Sequence, residues 1–104
     1  MSGAEARAIT PAAALPEAED YAAWFRALAD GTRVKIVSLL ARHGRPMKVG
    51  EIVAAVQVGQ STVSQHLKVL KDAGLIRGEI DGPRVCYCIE PHVLRRLKAL
   101  VGSL

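Results

Sequence analysis

The chain has 104 residues, half of them hydrophobic, enough for one small domain whose core is marginal alone and for which self-association is a natural supplement. Lys and Arg number 14 against 10 Asp and Glu, a net charge of +4 that is compatible with a nucleic-acid partner. No apolar run approaches a membrane span, and the opening MSGAEARAITPAAALPEAED carries acids and prolines in place of a continuous apolar stretch, so a cytoplasmic chain without a signal peptide is expected.

Residues 1–15 are Ala-rich and broken by Pro11, and read as a mobile arm ahead of a single domain over 16–104. Pro16 suits the first position of a helix that runs to about Ala29, with Glu17, Glu19 and Asp20 favourable at its positive end. Tyr21, Trp24, Phe25 and Leu28 are its apolar residues, and Trp24 and Phe25 are expected in the core or in contact with a second subunit. Asp30 is an N-cap for a second helix through His43, stopped by Gly44. Its apolar residues Val34, Ile36, Val37, Leu39, Leu40 and Ala41 fall on more than one face, which predicts the buried centre of the fold. His43 favours that helix's C-terminus. Arg45-Pro46 breaks the chain before a short helix over Val49 to Val56.

The turn Gln57-Val58-Gly59 then leads into QSTVSQHLKVLKDA, from Gln60 to Ala73, with Gly59 as N-cap and Gly74 as the stop. Val63, Leu67 and Leu70 recur at helical spacing, and Val69 and Ala73 widen the stripe. The other face presents Gln60, Ser61, Thr62, Ser64, Gln65, His66, Lys68 and Lys71. Its first half is neutral and rich in donors and acceptors, the chemistry that reads base edges in a major groove, and its lysines suit phosphates. Two short helices joined by a tight Gly-containing turn form a helix-turn-helix pattern. The periodicity alone also fits an ordinary amphipathic surface helix.

After Gly74 the period changes. Arg77–Ile80 and Arg84–Ile89 flank Asp81-Gly82-Pro83, a β-hairpin with its turn at Asp-Gly, Arg84 at its tip and Arg77 at its base. Pro91 starts a last helix, on which Leu94, Leu97, Val101 and Leu104 form a stripe that needs a partner surface; a homodimer is therefore expected. The fold class is mainly α with a small β-hairpin, four helices preceding the hairpin and one following it.

The runs ALADGTRVKIVSLL, VGEIVAAV, QSTVSQHLKVLKDAGLI and GPRVCYCI together resemble the ArsR/SmtB family of winged helix-turn-helix bacterial repressors, over about residues 22–97. The resemblance implies a homodimer with the first and last helices at its interface, the Gln60 helix in the major groove of an inverted-repeat operator, the hairpin as wing, and repression relieved by a ligand. His66 falls where the family commonly has His and is read as a DNA contact in preference to a metal ligand; Lys68, Lys71, Arg77 and Arg84 are the other expected basic DNA contacts. Gly31 stands where the family has proline. The family's Cys-x-Cys metal site falls on Lys48 and Gly50, so that site is absent. Of the family's zinc-type site on the last helix, Glu90 and His92 supply one end, while Ser103 and Leu104 stand where the other pair would lie.

The two cysteines, Cys86 and Cys88, sit two apart on the second hairpin strand, so they share a face and lie about 6–7 Å apart by strand rise. Val85, Tyr87 and Ile89 alternate with them as the expected core-facing set. A disulfide needs closer Cβ atoms, about 4 Å. Thiolates select soft cations, so one reading is a site for Hg(II), or for As(III) or Sb(III) with a third thiolate from elsewhere, with Arg84 helping deprotonation. A redox or persulfide sensor, and two small residues without any sensing role, are the alternatives. No Ser/His/Asp set, phosphate loop or paired carboxylates stand at meaningful spacing, which argues against an enzyme. A winged helix used only for protein contacts would lack salt-dependent DNA binding.

Overall fold

The computed structural model describes residues 17–104; the expected arm and Pro16 lie outside the described residues. The order is α1 (Ala18–Leu28), α2 (Gly31–His43), β1 (Met47–Lys48), α3 (Val49–Val56), α4 (Gln60–Asp72), β2 (Ile76–Asp81), β3 (Arg84–Ile89) and α5 (Pro91–Ser103). No helix among the described residues is long and apolar enough to cross a membrane.

The helix ends follow their residues. The Asp30 carboxylate accepts the Arg33 backbone N–H at 3.1 Å and caps α2, and Gly44 closes that helix in a left-handed conformation, φ 75°. Gly31 starts α2 without proline, and the Asp30 cap satisfies one of the exposed donors there. At the start of α3 the Glu51 carboxylate reaches back to accept the Lys48 backbone N–H at 2.9 Å. At the end of α4 the Leu75 N–H returns to the Leu70 carbonyl and the Gly74 N–H to that of Lys71, with Gly74 at φ 84°. This Schellman closure turns the chain sharply from α4 into β2.

Ile36, Val37 and Leu40 of α2 form the centre of a core shared by α1, α3, α4 and the sheet, as the apolar spread on this helix predicts. Val34 and Ala41, expected with them, face outward. Ile52, Val63, Leu67, Leu70, Leu75 and Ile76 complete the interior, and Val93 and Leu97 attach α5 to it.

The sheet contains a strand that the sequence reading missed. Met47-Lys48 pairs antiparallel with β3, Met47 opposite Tyr87 and Lys48 opposite Cys86, so the strand order is β1-β3-β2. Two residues are too few to show an alternating period, and the adjacent Arg45-Pro46 reads as a break. The hairpin turn also shifts by one: Asp81 is the last residue of β2, and Gly82-Pro83 alone connect it to Arg84. Gly82 takes φ 62°, which glycine adopts without steric cost at the first position of such a turn.

Candidate nucleic-acid interface

The Val63, Leu67 and Leu70 side chains lock one face of α4 into the core, which leaves Gln60, Ser61, Thr62, Ser64, Gln65, Lys68 and Lys71 exposed together. Val69, expected to widen the apolar stripe, is 41% exposed. The angle between α3 and α4 is set by Gln57, which sits in the left-handed region at φ 58° and donates its N–H to the Val53 carbonyl at 2.9 Å. A non-glycine residue there costs about 1–2 kcal/mol, so the turn is held by the packing of its two helices. The first turn of α4 contains no acid, and its amino end carries the positive pole of the helix dipole outward beside Gln60, Ser61 and Thr62.

His66, expected as a DNA contact, is drawn toward the start of α2. Its ring is only 18% exposed. The Arg33 guanidinium donates to His66 Nδ1 at 3.2 Å and to the Ala27 carbonyl, while His66 Nε2 lies 3.8 Å from the Asp30 carboxylate. Arginine can only donate, so Nδ1 accepts and the ring proton sits on Nε2, toward Asp30. The backbone N–H of Arg33 is the main cause holding the Asp30 carboxyl below its ordinary value, with His66 and Arg33 adding to it. This cluster ties α4 to α2 from the core side. Nothing in the sequence pattern joins Arg33 to His66, although the Asp30 cap was visible in it.

The cations divide into two groups. Lys71 and Arg84 are exposed, Arg84 beside the hairpin turn. Lys68 is exposed too, and its ammonium pairs with Asp72 one helical turn on, at 3.0 Å. Arg77 is committed elsewhere: it pairs with Glu79 and Glu90, each at 3.2 Å, and stands opposite Cys88 in the hairpin ladder. Its place at the base of the hairpin, between β2 and the chain entering α5, accounts for that.

The cysteines are on one strand face, but unequally open. With β1 on one side and β2 on the other, β3 is central; Cys86 lies between Lys48 and Glu79 and is 6% exposed, while Cys88 is half-buried beside Arg77. Tyr87 and Ile89 pack on the core as expected, whereas Val85, near the turn, is 42% exposed. The arginine beside a thiol is Arg77 rather than Arg84. Burial pushes the Cys88 thiol above its ordinary value and outweighs the Arg77 guanidinium, so this thiol is not activated as a thiolate. Among the described residues no group of three or more His, Cys, Asp or Glu side chains converges as a metal site. Two thiols are thus the soft donors on this face, and among the described residues no third ligand for As(III) or Sb(III) joins them. His92 lies 3.8 Å from Glu90, the one acid–His pair expected from the sequence.

Of the residues expected at a subunit interface, Trp24 and Leu97 are used by the chain's own core. Trp24 meets Tyr21 edge-on, ring centres 5.3 Å apart, and the Arg96 guanidinium of α5 covers both rings, 5.1 Å from the Trp24 centroid. Phe25, Val101 and Leu104 remain open, and Leu94 of α5 is half-buried. The stripe of α5 thus splits between core and surface.

The chain forms a helix-turn-helix followed by a two-stranded wing, with the second helix polar on its outer face. The family model described as "Bacterial regulatory protein, arsR family" matches residues 30–77. The chain belongs to the arsR family. It is 49% identical over 76 residues to the HTH-type transcriptional regulator Rv2034 of Mycobacterium tuberculosis, covering 73% of this chain and 68% of that protein. It is 34% identical over 80 residues to the arsenic resistance transcriptional regulator ArsR1 of Pseudomonas putida, covering 77% of this chain and 62% of that one. Its structure resembles the solution structure of the homodimeric winged helix-turn-helix DNA-binding domain Mb0332 of Mycobacterium bovis, with a TM-score of 0.71, 31% identity, and coverage of 92% of this chain and 86% of that one. The chain thus spans about two thirds of the length of these two curated relatives. Members of this arsR family are transcriptional regulators, not enzymes, and the winged helix-turn-helix expected from the sequence is the fold observed.

Proposed function

We propose that the chain is a homodimeric transcriptional repressor that reads an inverted-repeat operator with α4 and steadies itself on the phosphates with the wing. The observation that carries this reading is the exposed, acid-free face of Gln60, Ser61, Thr62, Ser64 and Gln65, held rigidly by the buried Val63, Leu67 and Leu70 behind a helix-turn-helix bend. Ser and Gln side chains offer both donors and acceptors to base edges, while Lys71 and Arg84 flank them as point charges for the backbone. A dimer built on the open Phe25, Val101 and Leu104 surfaces would carry two copies of α4, and half-sites about 34 Å apart are the geometry such proteins use. The homodimeric relative Mb0332 supports the assembly.

The inducer in this reading is a thiophilic ion held by Cys86 and Cys88, with Hg(II) favoured because two thiolates on one strand face satisfy a linear ion. The arsenic resistance regulator among the relatives supports a metalloid or metal inducer in general terms. Binding displaces both thiol protons, which the raised Cys88 thiol makes costlier at low pH. The ion would sit in the central strand that leads through Glu90 into α5, linking the wing to the dimer helix. The test is the Cys86→Ser, Cys88→Ser double variant: it binds operator DNA as the parent does and no longer releases it on addition of Hg(II). Release at the parent's Hg(II) concentration would place sensing elsewhere.

A further inference from the structure

Between the carboxyl end of α2, the base of the wing and α5 lies an open cleft of about 430 Å³. Leu40, Ile89 and Leu94 give it an apolar floor. Arg45, Arg95 and Lys98 stand around it, and among the described residues no carboxylate forms an ion pair with any of them. Arg77 and Glu79 also line it, but these two bind one another, and Glu90 lies on Arg77 as well, so the carboxylates nearby are already taken up by that one guanidinium. The Cys88 side chain forms part of the wall.

An apolar floor under three cations that form no ion pair among the described residues complements a small organic anion. We propose that this cleft binds a small organic carboxylate: an apolar body on Leu40, Ile89 and Leu94, and a carboxylate held by Arg45, Arg95 and Lys98. The volume falls within the range of small-molecule sites, and a few charged groups above an apolar surface is how such sites fix orientation. A bidentate guanidinium–carboxylate pair gives the anion an advantage over a neutral molecule of the same shape. This site is separate from the exposed face of α4 and requires neither DNA binding nor metal binding.

The experiment uses the full chain, reduced, with 1-naphthoate and octanoate as probes and 1-naphthamide as the neutral counterpart of the first. Calorimetric titration is combined with backbone amide shift mapping. The expected result is saturable binding of 1-naphthoate or octanoate, with shifts concentrated at Gly44, Arg45, Ile89 and Lys98. The naphthoate should bind at least tenfold tighter than the amide. Arg95→Glu with Lys98→Glu, both on the exposed side of α5, should weaken carboxylate binding at least tenfold while the amide spectrum elsewhere stays that of the folded parent. A second variant, Arg45→Glu, tests the opposite wall independently. Equal affinity for acid and amide, shifts centred outside the cleft, full affinity in both variants, or no binding of either carboxylate up to millimolar concentration would overturn the proposal.

Discussion

Leu70 and Val69 are neighbours on α4, and the structure assigns them opposite fates: Leu70 is fully buried, Val69 is 41% exposed. The sequence pattern places both on one apolar stripe, so the pair tests how α4 is rotated against the core. Replacing Leu70 by Ala removes three heavy atoms from a site packed on all sides, with a transfer loss and a cavity that together cost about 2–5 kcal/mol. A domain of this size holds on the order of 5–15 kcal/mol, so this change consumes a large part of its stability. With a urea slope of about 1–2 kcal/mol/M the unfolding midpoint falls by roughly 1–5 M. Val69→Ala exposes little new surface, and alanine is the better helix former, so its effect lies within about 0.5 kcal/mol of zero. Urea unfolding followed by far-ultraviolet circular dichroism measures both. Losses equal within about 0.5 kcal/mol, or a larger loss for Val69→Ala, would mean that α4 is rotated differently and that Ser64 and Gln65 are not its outward residues.

Three further outcomes are expected. Lys71→Ala and Arg84→Ala each weaken binding to all DNA sequences alike and lower the salt slope by about 1, whereas Asp72→Asn releases Lys68 from its ion pair and tightens binding; anisotropy titrations over a range of salt read all three. Val101→Asp, at a 53% exposed position, converts the dimer to monomer in sedimentation experiments without loss of helix content, and a monomeric parent at micromolar concentration would remove the dimer from the account. Because the Asp30 carboxyl is held below its ordinary value of 3.8 in the folded chain, its contribution to stability is complete above that value and is lost as pH falls through the folded value. Asp30→Asn should therefore flatten the acid limb of the stability curve below about pH 4, and an unchanged limb would show that other groups set it.

The helices were legible because their ends are written in single residues: Asp30 and Gly44 bound α2, and the Val63, Leu67, Leu70 spacing defines the buried face of α4. What the pattern hid is tertiary. Met47-Lys48 becomes a strand only because β3 offers an edge to pair with, and that pairing makes Cys86 buried instead of open. His66 and Arg77 read as polar surface residues, yet Arg33 draws one inward and Glu79 and Glu90 hold the other. Trp24 and Leu97 show the same ambiguity from the apolar side, since a one-dimensional stripe cannot distinguish a chain's own core from a partner's surface.

The most direct test of the account is whether the outer face of α4 carries sequence preference. The parent protein is used to select its site from a random-sequence DNA library, and the affinity for that site is compared with a scrambled duplex at several salt concentrations, for the parent and for Ser64→Ala with Gln65→Ala. The account predicts that the double variant loses about 1–3 kcal/mol of preference for each base contact removed, while its affinity for scrambled DNA and its salt slope stay those of the parent. A double variant that keeps the parent's full preference, or a parent that selects no site at all, would contradict it.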